Sequence, residues 1–159
     1  MNWLYENKEM KRLSDFPENC IGFVYVIKNK ENGRIYVGKK ILHNNLTKKL
    51  TKKEIEAWAK PGRVPKKRKE VKESNWQSYY GSSKTLLEDI TKLGKEGFER
   101  QVLRPCYTKK ELSYYEVYYQ IKMEVLHIDS YNENIGGKFF RKDTGQILEQ
   151  SQDSPETAG

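Results

Sequence analysis

The first clear pattern in the chain begins at Ile21. Ile21-Gly22-Phe23-Val24-Tyr25-Val26-Ile27 is rich in β-branched and aromatic residues and predicts a strand. Asn29-Lys30-Glu31-Asn32-Gly33 follows as turn chemistry, because Asn and Gly accept positive φ. Arg34-Ile35-Tyr36-Val37-Gly38-Lys39 predicts a second strand, so the two read as a hairpin. Residues 1–20 read as an N-terminal extension with a short helical tendency around Trp3–Arg12, ended by Pro17. Within 41–72, Lys52 to Lys60 predicts a short helix with Ile55 and Trp58 on one face, stopped by Pro61-Gly62, and Arg63 to Lys72 reads as extended or partly mobile.

Further on, Leu86, Leu87, Ile90 and Leu93 share a helix face, with Ser82 or Ser83 as cap and Gly94 as stop. Phe98 to Leu103 predicts a third strand. Thr108 with Glu111 three residues on predicts a capping box, opening a helix whose stripe is Leu112, Tyr115, Tyr119, Met123 and Leu126. Tyr131 to Lys138 reads as a loop or short strand closing the core. Residues 141–159 read as a partly disordered tail, most clearly from Ser151 on. The order is β-β-(basic insertion)-α-β-α. It predicts a small α+β domain over residues 21–140, with a three-stranded antiparallel sheet flanked by helices.

Composition changes the picture mainly through charge. The 159 residues carry a net charge of +8, yet residues 39–72 hold 13 Lys and Arg against only Glu54, Glu56 and Glu70. The rest holds 17 basic and 19 acidic residues, so the excess is local. A local basic stretch fits a binding surface for a polyanion such as nucleic acid. The 11 Tyr, 5 Phe and 3 Trp argue for a packed core rather than disorder. Cys20 and Cys106 match no zinc pattern and read as reduced, structural thiols. No stretch is apolar enough to span a membrane, and the N-terminus does not resemble a signal peptide.

Candidate chemistry begins with the hairpin. If its turn takes four residues, Lys28 faces Gly33 and Tyr25 faces Tyr36, projecting two phenols together. Slipping the register by one would put them on opposite faces. Glu116 lies within about 60° of the centre of its helix's apolar stripe. A carboxylate there costs free energy unless a cation or metal compensates it. Mg²⁺ often takes a single protein carboxylate, with waters and phosphate oxygens completing its shell. Lys39 and Lys40 follow the second strand directly, and Arg63 and Arg68 lie in the basic stretch. His43 and His127 have no partner spacing.

Gly22-Phe23-Val24-Tyr25 and Ile35-Tyr36-Val37-Gly38 resemble the two halves of the GIY-YIG motif, with one extra residue before the first tyrosine. Tyr79-Tyr80-Gly81-Ser82-Ser83-Lys84, Gly94, Phe98, Glu116, Tyr131-Asn132 and Asn134-Ile135 follow in the order seen in that family. The likeness is nearest to small freestanding nucleases of the kind phage genomes carry, often of homing type. It implies a phosphodiester hydrolase acting on DNA, expected to be double-stranded, in the cytoplasm. It implies that Tyr25 acts as general base and that Tyr36 positions water and phosphate. Gly38 would let the chain turn toward the first helix. Glu116 would bind Mg²⁺ or Mn²⁺, Tyr80 would take the family's His/Tyr position, and Asn132 or Asn134 would support the site. The family's arginine position falls on Leu46, leaving Arg68, Arg63 or Lys40 as substitutes. Lys39, Arg63, Lys66, Lys67 and Lys69 would contact the nucleic acid. A phenol ordinarily ionises near pH 10, so Lys39, Lys40 and an arginine are expected to lower that value. The alternative is an inactive nucleic-acid-binding protein on the same scaffold.

Overall fold

Asn29, Asn32 and Gly33 set the central hairpin. The Asn29 side chain accepts from the Glu31 amide and that of Asn32 from the Arg34 amide, while Gly33 sits at φ +77°. The Asn29 amide donates to the Arg34 carbonyl at 2.9 Å and closes the loop. This computed structural model describes residues 1–145; the segment from Ser151 on lies outside the described residues.

In chain order the elements are β1 (Trp3–Tyr5), β2 (Lys8–Met10), β3 (Gly22–Asn29), β4 (Ile35–Ile41), β5 (His43–Lys49), α1 (Lys52–Glu56) and β6 (Lys67–Glu73). There follow α2 (Lys84–Leu93), β7 (Phe98–Cys106), α3 (Lys109–Lys122), β8 (Asn134–Ile135), β9 (Phe139–Phe140) and α4 (Arg141–Thr144). The main sheet has five strands in the order β2-β1-β7-β3-β4, with β1 parallel to β7 and the other pairs antiparallel. The expected three-stranded antiparallel sheet is therefore its core, β7-β3-β4, extended by two strands from the N-terminus.

Those two strands correct the reading of residues 1–20 as a helix-prone extension. Glu6 and Asn7 take φ of +50° and +68°, the two-residue turn that suits a tight hairpin, so Trp3 pairs with Met10. Trp3 is fully buried, donates its indole N–H to the Trp76 carbonyl at 2.7 Å, and meets the rings of Phe23 and Tyr25 at 5.0 Å each. Arg100 is buried over Trp3 and donates to the Gln77, Tyr79 and Met1 carbonyls, fastening the N-terminus to the 77–79 segment.

Both faces of β3 are covered, which is why its run is apolar without alternation. Phe23, Tyr25 and Ile27 face one core with Trp3, Trp76, Leu86 and Phe98; Val24 and Val26 face a second with Val37, Leu112, Leu126 and Ile135. Helix α2 belongs to the first layer and α3 to the second. Ser83 caps α2, its hydroxyl accepting from the Leu86 amide. Thr108 caps α3, but the Glu111 carboxylate accepts from Tyr107 rather than from the cap residue. Cys20 and Cys106 are free and buried, and burial pushes the Cys106 thiol up to about 12.

The basic insertion forms an exposed two-stranded ribbon, β5 against β6, from His43↔Glu73 to Lys49↔Lys67. Its helix α1 is shorter than the expected Lys52–Lys60, and Arg63 to Lys72 resolves into a loop and β6. The C-terminal boundary also moves. Arg141 donates to the carbonyls of Leu126, Ile128, Ser130 and Asn132, so residues 141–145 belong to the domain and not to a tail.

Trp3→Ala should cost about 3–5 kcal/mol, as for a buried aromatic cut to a methyl group. Urea denaturation checks this, and an unchanged midpoint would return residues 1–20 to the status of a dispensable extension.

Candidate active site

The central hairpin pairs Tyr25 with Gly38 and Tyr36 with Ile27, two residues out of step with the expected Tyr25–Tyr36 opposition. A slip of two keeps the side chains on the same face, so the phenols become diagonal neighbours with ring centroids 6.2 Å apart. Between them lies Gly38. A Cβ there would stand 2.6 Å from the Tyr25 hydroxyl and 3.0 Å from the Tyr36 ring. Gly38 lies inside β4 without positive φ, so its role is to leave room for Tyr25 across the strand rather than to turn the chain. Opposite Tyr25 on the other flank, the β3–β7 register shifts between Val24 and Tyr25, a bulge that re-aims the tyrosine.

Strand β4 is the sheet edge, and a cleft of about 390 Å³ opens beside it. Tyr36 supplies one wall, and Ser82 to Lys84 at the start of α2 supply another. Glu116 and Gln120 enter from α3, and Asn132 and Asn134 from the following loop. The Tyr36 hydroxyl is 3.0 Å from the Ser82 hydroxyl. Gly81, at φ +88°, brings that loop against the Tyr36 ring. Asn132 accepts from the Val37 amide at 2.9 Å and donates to the Val37 carbonyl at 2.8 Å, and Gln120 donates to the same carbonyl at 3.0 Å. Asn134 instead accepts from the Gly137 amide within its own loop.

Glu116 has a side chain 20% exposed, 3.8 Å from the Lys39 ammonium, which also donates to Ser113 at 2.9 Å. Burial raises the Glu116 carboxyl above its ordinary range, and Lys39 partly opposes that. Tyr25 is only 1% exposed. Burial first, then the Tyr36 and Tyr79 phenols and the Glu116 charge, push its ionisation well above the ordinary value. Tyr36 is raised by burial too, with the Ser82 hydrogen bond acting the other way. The expectation that nearby cations lower these values is thus reversed. Lys39 stands on the α3 face beside Glu116, and Lys40, on the tyrosines' own face, has its ammonium 4.1 Å over the Tyr79 ring, its own ionisation lowered by burial.

Of the residues expected at the site, Tyr36, Glu116 and Asn132 line the cleft, and Tyr25 stands directly behind Tyr36 across Gly38. The others lie elsewhere. Tyr80 is buried under the Arg100 guanidinium, and its hydroxyl has no hydrogen-bond partner among the described residues. Arg68 sits on the ribbon, 2.6 Å from Glu54 and 3.4 Å from Glu70, so it holds α1 in place. Arg63, Lys66, Lys67 and Lys69 are exposed on the insertion. Sequence reasoning passed over Lys84 and Gln120. Lys84 is the first residue after the cap of α2, a position that the serine cap itself marks; Gln120, one turn beyond Glu116, carried no signal.

The family model described as "Putative endonuclease segE, GIY-YIG domain" matches residues 3–142. The chain belongs to this GIY-YIG family. No curated protein and no solved structure matches it. The matched span includes β1 and reaches α4, in keeping with the domain limits seen in the fold. Membership makes the chain a nuclease domain of the endonuclease kind, with DNA as its substrate class. No described helix of this GIY-YIG domain is long and apolar enough to cross a membrane.

Two stability measurements probe the cleft. Gly38→Ala should lose about 1–3 kcal/mol by forcing Tyr25 aside; an unchanged urea midpoint would mean the strand leaves room for a methyl group. Glu116 has a folded ionisation above its unfolded one, so its contribution favours folding at low pH and fades as pH rises through the folded value. Glu116→Gln should therefore melt no lower than the wild type at pH 7, and the difference should vanish below about pH 4. A variant that melts lower at pH 7 would show the carboxylate to be a net stabiliser.

Proposed function

We propose that the chain is a metal-dependent endonuclease that hydrolyses a phosphodiester of double-stranded DNA in the β4-edge cleft. The observation that carries this reading is the convergence of Tyr36 and Glu116 on one opening, with the cations Lys39 and Lys84 beside them.

The family implies a divalent ion, and the residues present fit one. Glu116 is a half-buried carboxylate whose charge is offset among the described residues by Lys39. Gln120, one turn on, has its Oε1 buried without a hydrogen-bond partner among the described residues. No group of three or more His, Cys, Asp or Glu able to hold a metal occurs among the described residues, so a single-carboxylate site for Mg²⁺ or Mn²⁺ is the arrangement that fits. When bound at Glu116, such an ion would polarise the phosphate and stabilise the departing 3′ oxygen.

The chain's own groups do the rest. Lys84 opens α2, whose first amides and dipole favour a phosphate oxygen. It supplies the cation that Leu46, at the family's arginine position, does not. Tyr36, held by Ser82, is the phenol that meets the attacking water. Tyr25 stands behind it and keeps the pair in place. Both phenols hold their protons at neutral pH, because burial raises their ionisation. Asn132 fixes the edge strand on which Tyr36 rides. The same chemistry suits a freestanding phage-type nuclease acting in the cytoplasm.

One specific observation favours the alternative of a catalytically silent DNA-binding protein: Leu46, at the family's arginine position, lies on the ribbon, and among the described residues no arginine lines the cleft. Plasmid nicking with Mg²⁺ and with EDTA separates the two. Cleavage should need the metal, and Glu116→Gln, Tyr36→Phe and Lys84→Ala should each lower the rate by about 10²–10⁴. The rate should climb with pH through the alkaline range, since the phenolate that could accept a proton forms only there. Metal-independent nicking, or full activity in Glu116→Gln, would defeat the proposal.

A further inference from the structure

The two faces of the ribbon differ in charge. Directly opposed residues pair even with even and odd with odd, so each face collects one parity from both strands. On the even face Lys48 is 3.0 Å from Glu70, and Arg68 binds Glu70 and Glu54 of α1. That face is largely ion-paired, although Asn44, Leu46, Lys48 and Lys72 on it are exposed. On the odd face the outer half presents Thr47, Lys49, Lys67 and Lys69, all exposed, and none of the three lysines has an ion pair among the described residues. No acidic residue stands among them.

The odd face also continues the side of β4 that packs on α3, whereas Tyr36 enters the cleft from the α2 side. Val37 packs in the α3 layer and Lys39 reaches Glu116 on α3. Ile41, His43 and Asn45 then share one groove with Thr108 and Lys109 at the start of α3. One row of odd-numbered residues thus runs from the cleft to the tip of the ribbon. The ribbon's base is firm: Leu42 is buried, and Ser74 donates from its amide to the Leu42 carbonyl and from its hydroxyl to the Ile41 carbonyl.

The geometry points to this odd face as a reader of the major groove of double-stranded DNA, an inference that rests on the chain acting on DNA. The major groove, about 12 Å wide, admits a two-stranded ribbon and shows each base pair a distinct pattern, whereas the minor groove is about 6 Å wide and its pattern is degenerate. Lys49, Lys67 and Lys69 contact phosphates, and Thr47 and Asn45 face base edges. From Lys39 to Lys49 the strand reaches at most about 33 Å, close to one turn of duplex at about 34 Å. The ribbon's tip therefore lies within about one turn of the bond in the cleft and gives the nuclease domain its register on the duplex.

Fluorescence anisotropy of the full chain with a labelled duplex, in EDTA so that nothing is cut, tests this. Lys67→Ala and Lys69→Ala should each flatten the plot of log affinity against log salt by about one unit. Lys48→Ala, on the ion-paired face, should leave the slope unchanged. Methyl green, which fills the major groove, should displace the protein, and netropsin, which fills the minor groove, should not. Thr47→Ala should keep the slope and lose base preference in selection from a random duplex pool. Unchanged slopes in both lysine variants, displacement by netropsin alone, or equal affinity for single strands would overturn the inference. A wild type that binds in this way and cuts nothing in Mg²⁺ would sink the nuclease reading and leave the ribbon's role standing. Normal cutting with ribbon variants indistinguishable from wild type would do the reverse.

Discussion

The peptide group of Val37 faces away from the sheet, because β4 has no strand beyond it. Left bare, that N–H and C=O would be an orphaned donor and acceptor at a buried edge, at a cost of about 1–3 kcal/mol for each. The Asn132 side chain satisfies both, and Gln120 adds a second donor to the carbonyl. This one exchange ties the hairpin, the loop after α3 and α3 itself to a common point. Glu116, a turn before Gln120, then has to stand beside the same stretch of β4 that carries Tyr36 and Lys39. A sheet edge that would otherwise be a liability becomes the floor of a cleft.

The cleft is built at the expense of comfort. Two phenols and a carboxylate are crowded together with little water, and each has its ionisation pushed up by burial. Lys39 is the cation set against Glu116 in the protein alone. A further positive charge at Glu116 would relieve that crowding, which is the condition the proposed ion would meet. Strain of this kind is expected where function, not stability, decides the residue.

Much of this was legible in the chain. The β3–β4 hairpin, α2 with its serine cap, β7 and α3 follow from patterns in which local preference and burial agree. The register was missed by two residues because the four-residue loop is 30–33 rather than 29–32, shifted one residue along the chain by the Asn29 and Asn32 side-chain hydrogen bonds, a local effect that composition does not show. The N-terminal hairpin was missed for a different reason. Trp3 to Arg12 has too few apolar residues to declare a strand, and its turn depends on Glu6 and Asn7 both taking positive φ. Its stability comes from Trp3 meeting Trp76 and pairing beside Gln101, contacts that no local window contains. At the site, Tyr36 and Glu116 were readable as candidates, whereas Gln120 and Lys84 were not, since both residue types are common on helices and only the cleft gives them a shared direction.

Trp3 carries a further implication. Although β1 pairs locally with β2, Trp3 meets its core partner only when residue 76 is present and β1 joins the main sheet only through residue 101, and Asn132 is held in place by Arg141 near the far end of the domain. Tyr25 rests on Trp3, so its support and the edge of the cleft are supplied from opposite ends of the domain. Assembly of the cleft thereby needs residues from both ends of the domain, and a polypeptide lacking either end would carry the tyrosines without the setting that places them.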